Sequence, residues 1–432
     1  MRSGSLGRNM ADDFDIIIIG AGIAGTACAL RCARAGLSVL LLERGEIPGS
    51  KNLSGGRLYC RALAELLPHF QQSAPLERRI TQENLTLLTD DGATTYSSLQ
   101  PGGDSWSLLR ARFDPWLVSQ AEGEGVQCIT GATVAALYRE NGRVCGVICD
   151  NETLRARYVV LAEGANSELA ERHGLLSRPS PTAMALGIKA VLAMERKTLE
   201  DRFRLEGNEG SAMIFTGGVC GDLPGGAFLY TNQDTLSFGI VCPLSSLGKG
   251  AVPASGLLDR LKSHPALRPL LHGSETLEYG AHLVPEGGLH GMPAQYAGEG
   301  WLLVGDALRT CVNTGFTVRG MDMALIGAQA AAQTLIQACR HGAPQNLFAQ
   351  YHQEIERSLL WDVLQRYRHV PALLQRPGWY RRWPALMDDI SRELWQQGEG
   401  PVPPLRQIVW RHLRRHGLRH LAGDLIRSLR CL

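Results

Sequence analysis

Asp15-Ile-Ile-Ile-Ile-Gly20-Ala-Gly22-Ile-Ala-Gly25 lies near the start of the chain, and its reading decides the fold. The four isoleucines make a strand buried on both faces, a place that suits β-branched side chains. Gly20-x-Gly22-x-x-Gly25 follows, then an Ala-rich helical stretch to Ala35, with Gly36 as its C-cap. A second apolar strand, Val39-Leu-Leu-Leu42, ends in Glu43. The glycine pattern alone is a weak signal. Strand, glycines, helix, strand and terminal acid within about 30 residues make a dinucleotide-binding fingerprint. Gly20 makes the tight turn, Gly22 lets a pyrophosphate approach the backbone, and Gly25 lets helix and strand pack closely. The helix N-terminus offers unpaired N–H groups and a positive dipole end to the phosphates. Glu43 suits both hydroxyls of an adenosine ribose and repels a 2′-phosphate.

The remaining chain is compatible with a large soluble protein. It has 432 residues, 44% hydrophobic and 20% charged, which suggests two or three domains with real cores. Lys+Arg 44 against Asp+Glu 42 gives +2, so composition makes no case for nucleic-acid binding. No apolar run reaches the ~18–20 residues of a membrane span. Residues 1–11 lack the apolar core of a secretory signal and read as a leader, with Met10 as the natural beginning. The 11 cysteines form no C-x-x-C, which points to reduced thiols in a cytoplasmic protein.

Three later segments favour FAD over NAD. Residues 157–167 form a buried strand ending in Glu163-Gly164, and residues 300–307 form another ending in Gly305-Asp306. A helical pattern runs from about Gly320 to Ala338, and Arg110-Ala-Arg-Phe113-Asp114 opens a helix between the fingerprint and the first of these. This set resembles the flavoprotein superfamily of aromatic hydroxylases and geranylgeranyl reductases. The resemblance implies that Arg110 lies near the FAD, that Gly164 lies in an Asp-Gly-type turn, and that Asp306 holds the ribityl chain. It implies too that Gly320 and Met321 bring helix N–H groups to the flavin pyrimidine edge, where they stabilise negative charge on the reduced ring. Glu163 stands where the family pattern has Asp.

Two more stretches narrow the resemblance. Residues 49–59 read Gly-Ser-Lys51-Asn-Leu-Ser-Gly55-Gly56-Arg57-Leu-Tyr, and residues 313–324 read Asn-Thr-Gly-Phe-Thr-Val-Arg-Gly-Met-Asp-Met-Ala. With Gly225-Gly-Ala-Phe-Leu-Tyr230-Thr-Asn they look like the FixC branch, relatives of electron-transfer flavoprotein:quinone oxidoreductase, over roughly residues 12–432. Gly55 and Gly56 permit close approach to the isoalloxazine, and Lys51 and Arg57 are cations favouring its negative charge. Ala24, Arg44 and Val134 complete the cofactor-binding set. The quinone oxidoreductases also carry a [4Fe–4S] cluster on a Cys-rich C-terminal segment. Only Cys339 and Cys431 follow Cys311 here, so no cluster is expected. The branch then implies a separate ferredoxin-like protein as partner, besides electron-transfer flavoprotein subunits.

Residues 183–245 alternate short apolar runs with Gly, Asp and Asn turns and read as a mainly antiparallel sheet. The resemblance makes that sheet the wall of a substrate cavity, with Met213, Phe228 and Tyr230 as candidates. Thr216-Gly-Gly-Val-Cys-Gly221 has no following helix, so a second nucleotide fold is absent. Cys28 and Cys32, at i, i+4 beside the fingerprint, read as packing residues. Beyond Pro401-Val-Pro-Pro404, residues 405–432 hold seven arginines against Asp424 alone. Leu418, Leu421, Ala422, Leu425, Ile426 and Leu429 follow a helical period. Such a basic amphipathic helix either docks on an anionic membrane or acidic partner, or packs on its own domain. His412, His416 and His420 fall one turn apart, but the sequence sets no suitable acid or cysteine beside them, and no metal site is expected.

The sequence therefore predicts an α/β protein with a Rossmann-like FAD-binding domain and parallel sheet (12–182 and 281–344). An α+β, mainly antiparallel substrate or partner domain (183–280) and a helical C-terminal region (345–432) accompany it. The expected function is that of an FAD-dependent oxidoreductase. Electrons pass from an electron-transfer flavoprotein or small-molecule donor to a ferredoxin-like protein or quinone, with the flavin rather than a side chain as the redox centre. The competing readings are a hydroxylase-type flavin monooxygenase and a membrane- or partner-binding flavoprotein without turnover. The expected location is the cytoplasm, with peripheral attachment to the inner face of its membrane through residues 405–432.

Overall fold

The computed structural model describes residues 13–431 except 51, 53, 222, 248–252, 343–344 and 397–399. Lys51 and the leader 1–11 lie outside the described residues.

Strand Phe14–Ile19 sits at the centre of a sheet, paired in parallel with Glu152–Leu161 on one side and Val39–Leu42 on the other. Trp301–Leu303 and Gln127–Ile129 extend it, also in parallel. Ile16, Ile17 and Ile18 are fully buried, as a strand covered on both faces requires. Helix Ile23–Arg34 packs against the long helix Met321–His341 and against Arg110–Gly123. The hairpin Val134–Glu140 and Arg143–Cys149 pairs antiparallel with the first residues of Glu152–Leu161.

Among the described residues a second, nine-stranded sheet is antiparallel except where Glu209–Gly217 runs parallel to Leu76–Leu88. Its strands Met184–Ala193, Glu209–Gly217, Gly226–Thr231 and Thr235–Pro243 come from the region the sequence reads as antiparallel, and Glu275–Pro285, which lies beyond residue 245 and runs past residue 280, joins them. Gly56–Tyr59, Leu76–Leu88, Ala93–Leu99 and Ser105–Leu108 join the same sheet, so it is wider than 183–280 alone. The reason for the difference is polar burial. In Leu76–Leu88 the residues turned away from solvent include Arg78, Gln82, Asn84 and Thr86, so no apolar alternation marks the strand. Arg78 is satisfied by the carbonyls of Asn232 (2.6 Å), Gly207 and Glu209 and by the Glu200 carboxylate (2.8 Å).

Helices follow from Leu347 onward and include Pro377–Trp395, Leu405–Arg415 and Leu418–Cys431. The last two pack on Pro377–Trp395 through a narrow face containing Ile408, Leu421 and Asp424, with Arg382 bonded to Asp424 at 3.0 Å. Their other face turns Leu405, Trp410, Leu425, Ile426 and Leu429 to solvent. Among the described residues no helix is long and apolar enough to cross a membrane.

Candidate cofactor site

In open α/β sheets, ligands sit beyond the carboxyl ends of the strands where strand order reverses. That point lies at Ile19–Gly20, because the chain leaves Phe14–Ile19 to one side and Glu152–Leu161 closes on the other. A cavity of about 720 Å³ opens there, between the parallel sheet and the nine-stranded sheet.

Gly20 has φ +105°, and a Cβ on it would lie 2.4 Å from the Ala162 carbonyl oxygen. Gly22 caps helix Ile23–Arg34 and, among the described residues, has only Arg110 Nη2 near the place of a Cβ, at 3.7 Å. Its open side faces the cavity. Gly25 does not line the cavity; a Cβ there would meet Gly20 O at 2.0 Å, so this glycine sets the contact of helix on turn. Glu43 is buried, and its two carboxylate oxygens accept hydrogen bonds from Ala21 N (2.9 Å) and Gly45 N (2.8 Å). Arg44 and Val134 line the same end, and Ala24 stands close to Gly305.

Arg110 begins its helix, and one turn later Asp114 grips its guanidinium through two 2.6 Å bonds. Burial works against the Arg110 charge, but Asp114 more than offsets this and raises its pKa further. Asp306 lines the cavity, and no described residue donates a hydrogen bond to its side-chain carboxylate. Burial raises its pKa, with Arg110 and Lys189 pulling the other way. Glu163 does something a shorter Asp side chain would reach less readily: its two oxygens accept from Leu169 N (2.8 Å) and Ala170 N (3.0 Å), capping helix Glu168–Arg172. Burial nonetheless raises its pKa against these two bonds. Gly164, with φ +76°, makes the turn that follows.

At the far end stand Gly55, Gly56, Arg57, Gly320 and Met321. Gly320 caps helix Met321–His341, so that helix begins at this end of the cavity. Arg57 lines the cavity, but its charge is taken up by Glu83 in a two-point ion pair, with Ser105 Oγ on Nε at 2.9 Å. Phe228 and Tyr230 stack at 5.0 Å and form part of the wall. Met213 does not, because Ile214 takes the cavity side of that strand and alternation turns Met213 to the opposite core.

The structure adds titratable groups that the sequence reading passed over. Lys189 Nζ lies 3.4 Å from Gly55 O and 5.6 Å from the centre of the Phe228 ring. Burial pushes the Lys189 ammonium down to about 8, Arg110 adds repulsion, and Asp306 opposes both. His282 sits on the neighbouring strand, its pKa lowered by burial and by Lys189. Burial raises the Glu286 carboxyl to about 7, against a 3.3 Å hydrogen bond donated by Asn313. A signal for Lys189 existed: it is the one charge in the otherwise apolar strand Met184–Ala193.

The family described as FAD dependent oxidoreductase matches residues 15–171. Over 98% of this chain and the whole of the relative, 78% of residues are identical to the probable electron transfer flavoprotein-quinone oxidoreductase YgcN of Escherichia coli K12. The chain belongs to the electron-transfer flavoprotein-quinone oxidoreductase and FixC family. The protein FixC of the same strain is 41% identical over 98% of this chain and 99% of its own. A geranylgeranyl bacteriochlorophyll reductase-like protein from Thermoplasma acidophilum shares the fold, with a TM-score of 0.70 at 18% identity over 95% of this chain and 99% of that one. This family member is thus an FAD-dependent oxidoreductase of electron transfer. Its site fits the cofactor: Gly22 leaves an open cradle at a helix N-terminus, and the Asp306 carboxylate, an acceptor group, lines the same cavity.

Proposed function

We propose that this flavoprotein takes electrons from an electron-transfer flavoprotein and delivers them to a quinone at the membrane surface. FAD supplies the redox chemistry when bound; the chain positions it and controls what reaches it. In this reading Gly20, Gly22 and Ala24 receive the pyrophosphate with Arg110 beside it, and Glu43, Arg44 and Val134 receive the adenosine. Asp306 and Gly305 take the ribityl chain, with Glu163 and Gly164 shaping the turn alongside. Gly55, Gly56, Arg57, Gly320 and Met321 frame the ring.

The observation carrying the proposal is the helix Pro377–Trp395. It contributes Trp379, Trp383 and Met387 to the cavity wall, facing Leu85 and Leu87, and ends at Trp395, which is 83% exposed. An apolar wall of this kind suits an uncharged quinone ring and its hydrocarbon tail. The outer face of the two final helices, with Trp410, Ile426 and Leu429 exposed among Arg406, Arg414, Arg419 and Arg427, suits the inner face of the cytoplasmic membrane.

The test is stopped-flow mixing of the FAD-loaded protein with a reduced electron-transfer flavoprotein and a short-chain quinone. Quinol formed in step with donor oxidation supports the reading. Reduction of a ferredoxin-like protein with no quinol formed replaces the acceptor. Rapid NAD(P)H and oxygen consumption with an aromatic substrate replaces the reading by a monooxygenase.

A further inference from the structure

The helix that walls the cavity also brings two acids to the histidines of the tail. His412 is almost fully enclosed, with its side chain 8% exposed. Its Nε2 meets Glu393 Oε2 at 2.7 Å, and Arg411 holds the other oxygen of Glu393 at 2.6 Å. A carboxylate on Nε2 selects the tautomer with its proton there and leaves a bare lone pair on Nδ1. Among the described residues that Nδ1 has no hydrogen-bond partner. It faces Asp389 Oδ2 at 3.7 Å, and His416 Nε2 reaches the same oxygen at 2.8 Å. A lone pair is thus aimed, inside the protein, at a carboxylate oxygen, and a cation between them relieves the opposition.

We propose that Asp389, His412 and His416 bind a divalent transition metal, with Zn²⁺ the best match. Two imidazoles and a carboxylate are borderline ligands of the kind zinc takes. With metal–ligand bonds near 2.0–2.1 Å, tetrahedral ligand atoms lie about 3.3 Å apart. The distances of 2.8 and 3.7 Å fall on either side of that value, and all three ligand atoms lie within 4.8 Å of one another. Glu393 orients His412 through its far nitrogen, the carboxylate–histidine–metal arrangement of many zinc sites. A surface cleft lined by Asp389, Arg392, Glu393, Gln396 and Pro401 shares Asp389 with the cluster, on a side where water could supply a fourth ligand. Arg415 also approaches Asp389, at 3.6 Å, but its side chain is 70% exposed and turns to solvent when a metal takes the oxygen. The ion pins Leu405–Arg415, with its cap His416, onto Pro377–Trp395.

The experiment uses tag-free, FAD-loaded full-length protein, stripped with a chelator and titrated with Zn²⁺ against a chromophoric competitor. One Zn²⁺ per chain is expected, with a rise in melting temperature on loading. His416→Gln and Asp389→Asn should lower the affinity at least tenfold, and Glu393→Gln by about tenfold. His420→Gln, one turn further on and outside the cluster, should leave it unchanged. Flavin absorbance and circular dichroism establish that each variant is folded. Co²⁺ in place of Zn²⁺ should show tetrahedral ligand-field bands that His416→Gln removes. Absence of stoichiometric Zn²⁺ in the wild type, or equal binding by the wild type, His416→Gln and Asp389→Asn, overturns the proposal.

Discussion

Asp114 and Arg110 stand one helical turn apart and meet through two hydrogen bonds of 2.6 Å, the carboxylate fully enclosed and the guanidinium at the cavity edge beside Gly22. Asp114 therefore fixes where the Arg110 guanidinium stands, beside the position the proposed function gives to the pyrophosphate. Asp114→Ala leaves a largely buried cation unpaired, and breaking such a pair costs about 3–5 kcal/mol. The variant should purify with much less flavin and a clearly lower melting temperature. Arg110→Met, which removes the charge but keeps the stem, should lose flavin affinity with a smaller loss of stability.

Gly22 and Gly25 separate binding from folding. A side chain at Gly22 meets almost nothing of the protein, whereas at Gly25 it collides with Gly20 O at 2.0 Å. Gly22→Val should yield a folded, colourless protein, because the branched side chain fills the space of the pyrophosphate approach. Gly25→Ala should destabilise the flavin-free protein as well. Circular dichroism and flavin content of both variants check the distinction.

Glu286 gives a pH signature. Its carboxyl is raised from 4.5 to about 7 in the folded protein, so the native state keeps this proton to higher pH than the unfolded chain. The stability it supports is present below pH 4.5 and is lost as pH rises to about 7. Glu286→Gln keeps an oxygen for Asn313 and never ionises. Denaturant melts of the flavin-free proteins should agree near pH 4.5, and the variant should gain on the wild type up to pH 7, by roughly 1–3 kcal/mol.

The C-terminal helices call for point variants rather than truncation, since their inner face packs on the helix that walls the cavity. Ile426 and Leu429 are 52% and 76% exposed. Replacing both by Glu should leave the melting temperature and flavin content unchanged. Affinity for anionic vesicles, read by co-sedimentation, should fall by roughly a hundredfold, since each of the two aliphatic side chains contributes about 1.5 kcal/mol when buried. Unchanged vesicle binding by the double variant removes the membrane from the proposed function.

The cofactor end of the fold was legible because each task there is local. A turn needs Gly20, a close contact needs Gly25, and the apolar strands ending at Leu42, Leu161 and Leu303 are each followed within three residues by an acid, Glu43, Glu163 or Asp306. What escaped is non-local. Leu76–Leu88 hides polar side chains and turns Leu85 and Leu87 toward the cavity, so apolar periodicity carries no trace of its sheet. Arg57 reads as a ring-facing cation until Glu83, two strands away across Ser105–Leu108, is seen to hold it. His412 and His416 seem to lack acids because Asp389 and Glu393 arrive from the preceding helix. Lys189 was visible as a lone charge in an apolar strand, but the cavity it faces takes shape only when the two sheets meet.

Glu43 has a further meaning for anyone wishing to redesign nucleotide preference. Its carboxylate already ties together the backbone at Ala21 and at Gly45. Exchanging it for a basic residue to welcome a phosphorylated ribose would first deprive two buried N–H groups of their acceptor. Selectivity at this position is therefore welded to the architecture of the loop, and a switch of nucleotide would need the segment around residues 43–45 rebuilt together with its end of the glycine turn.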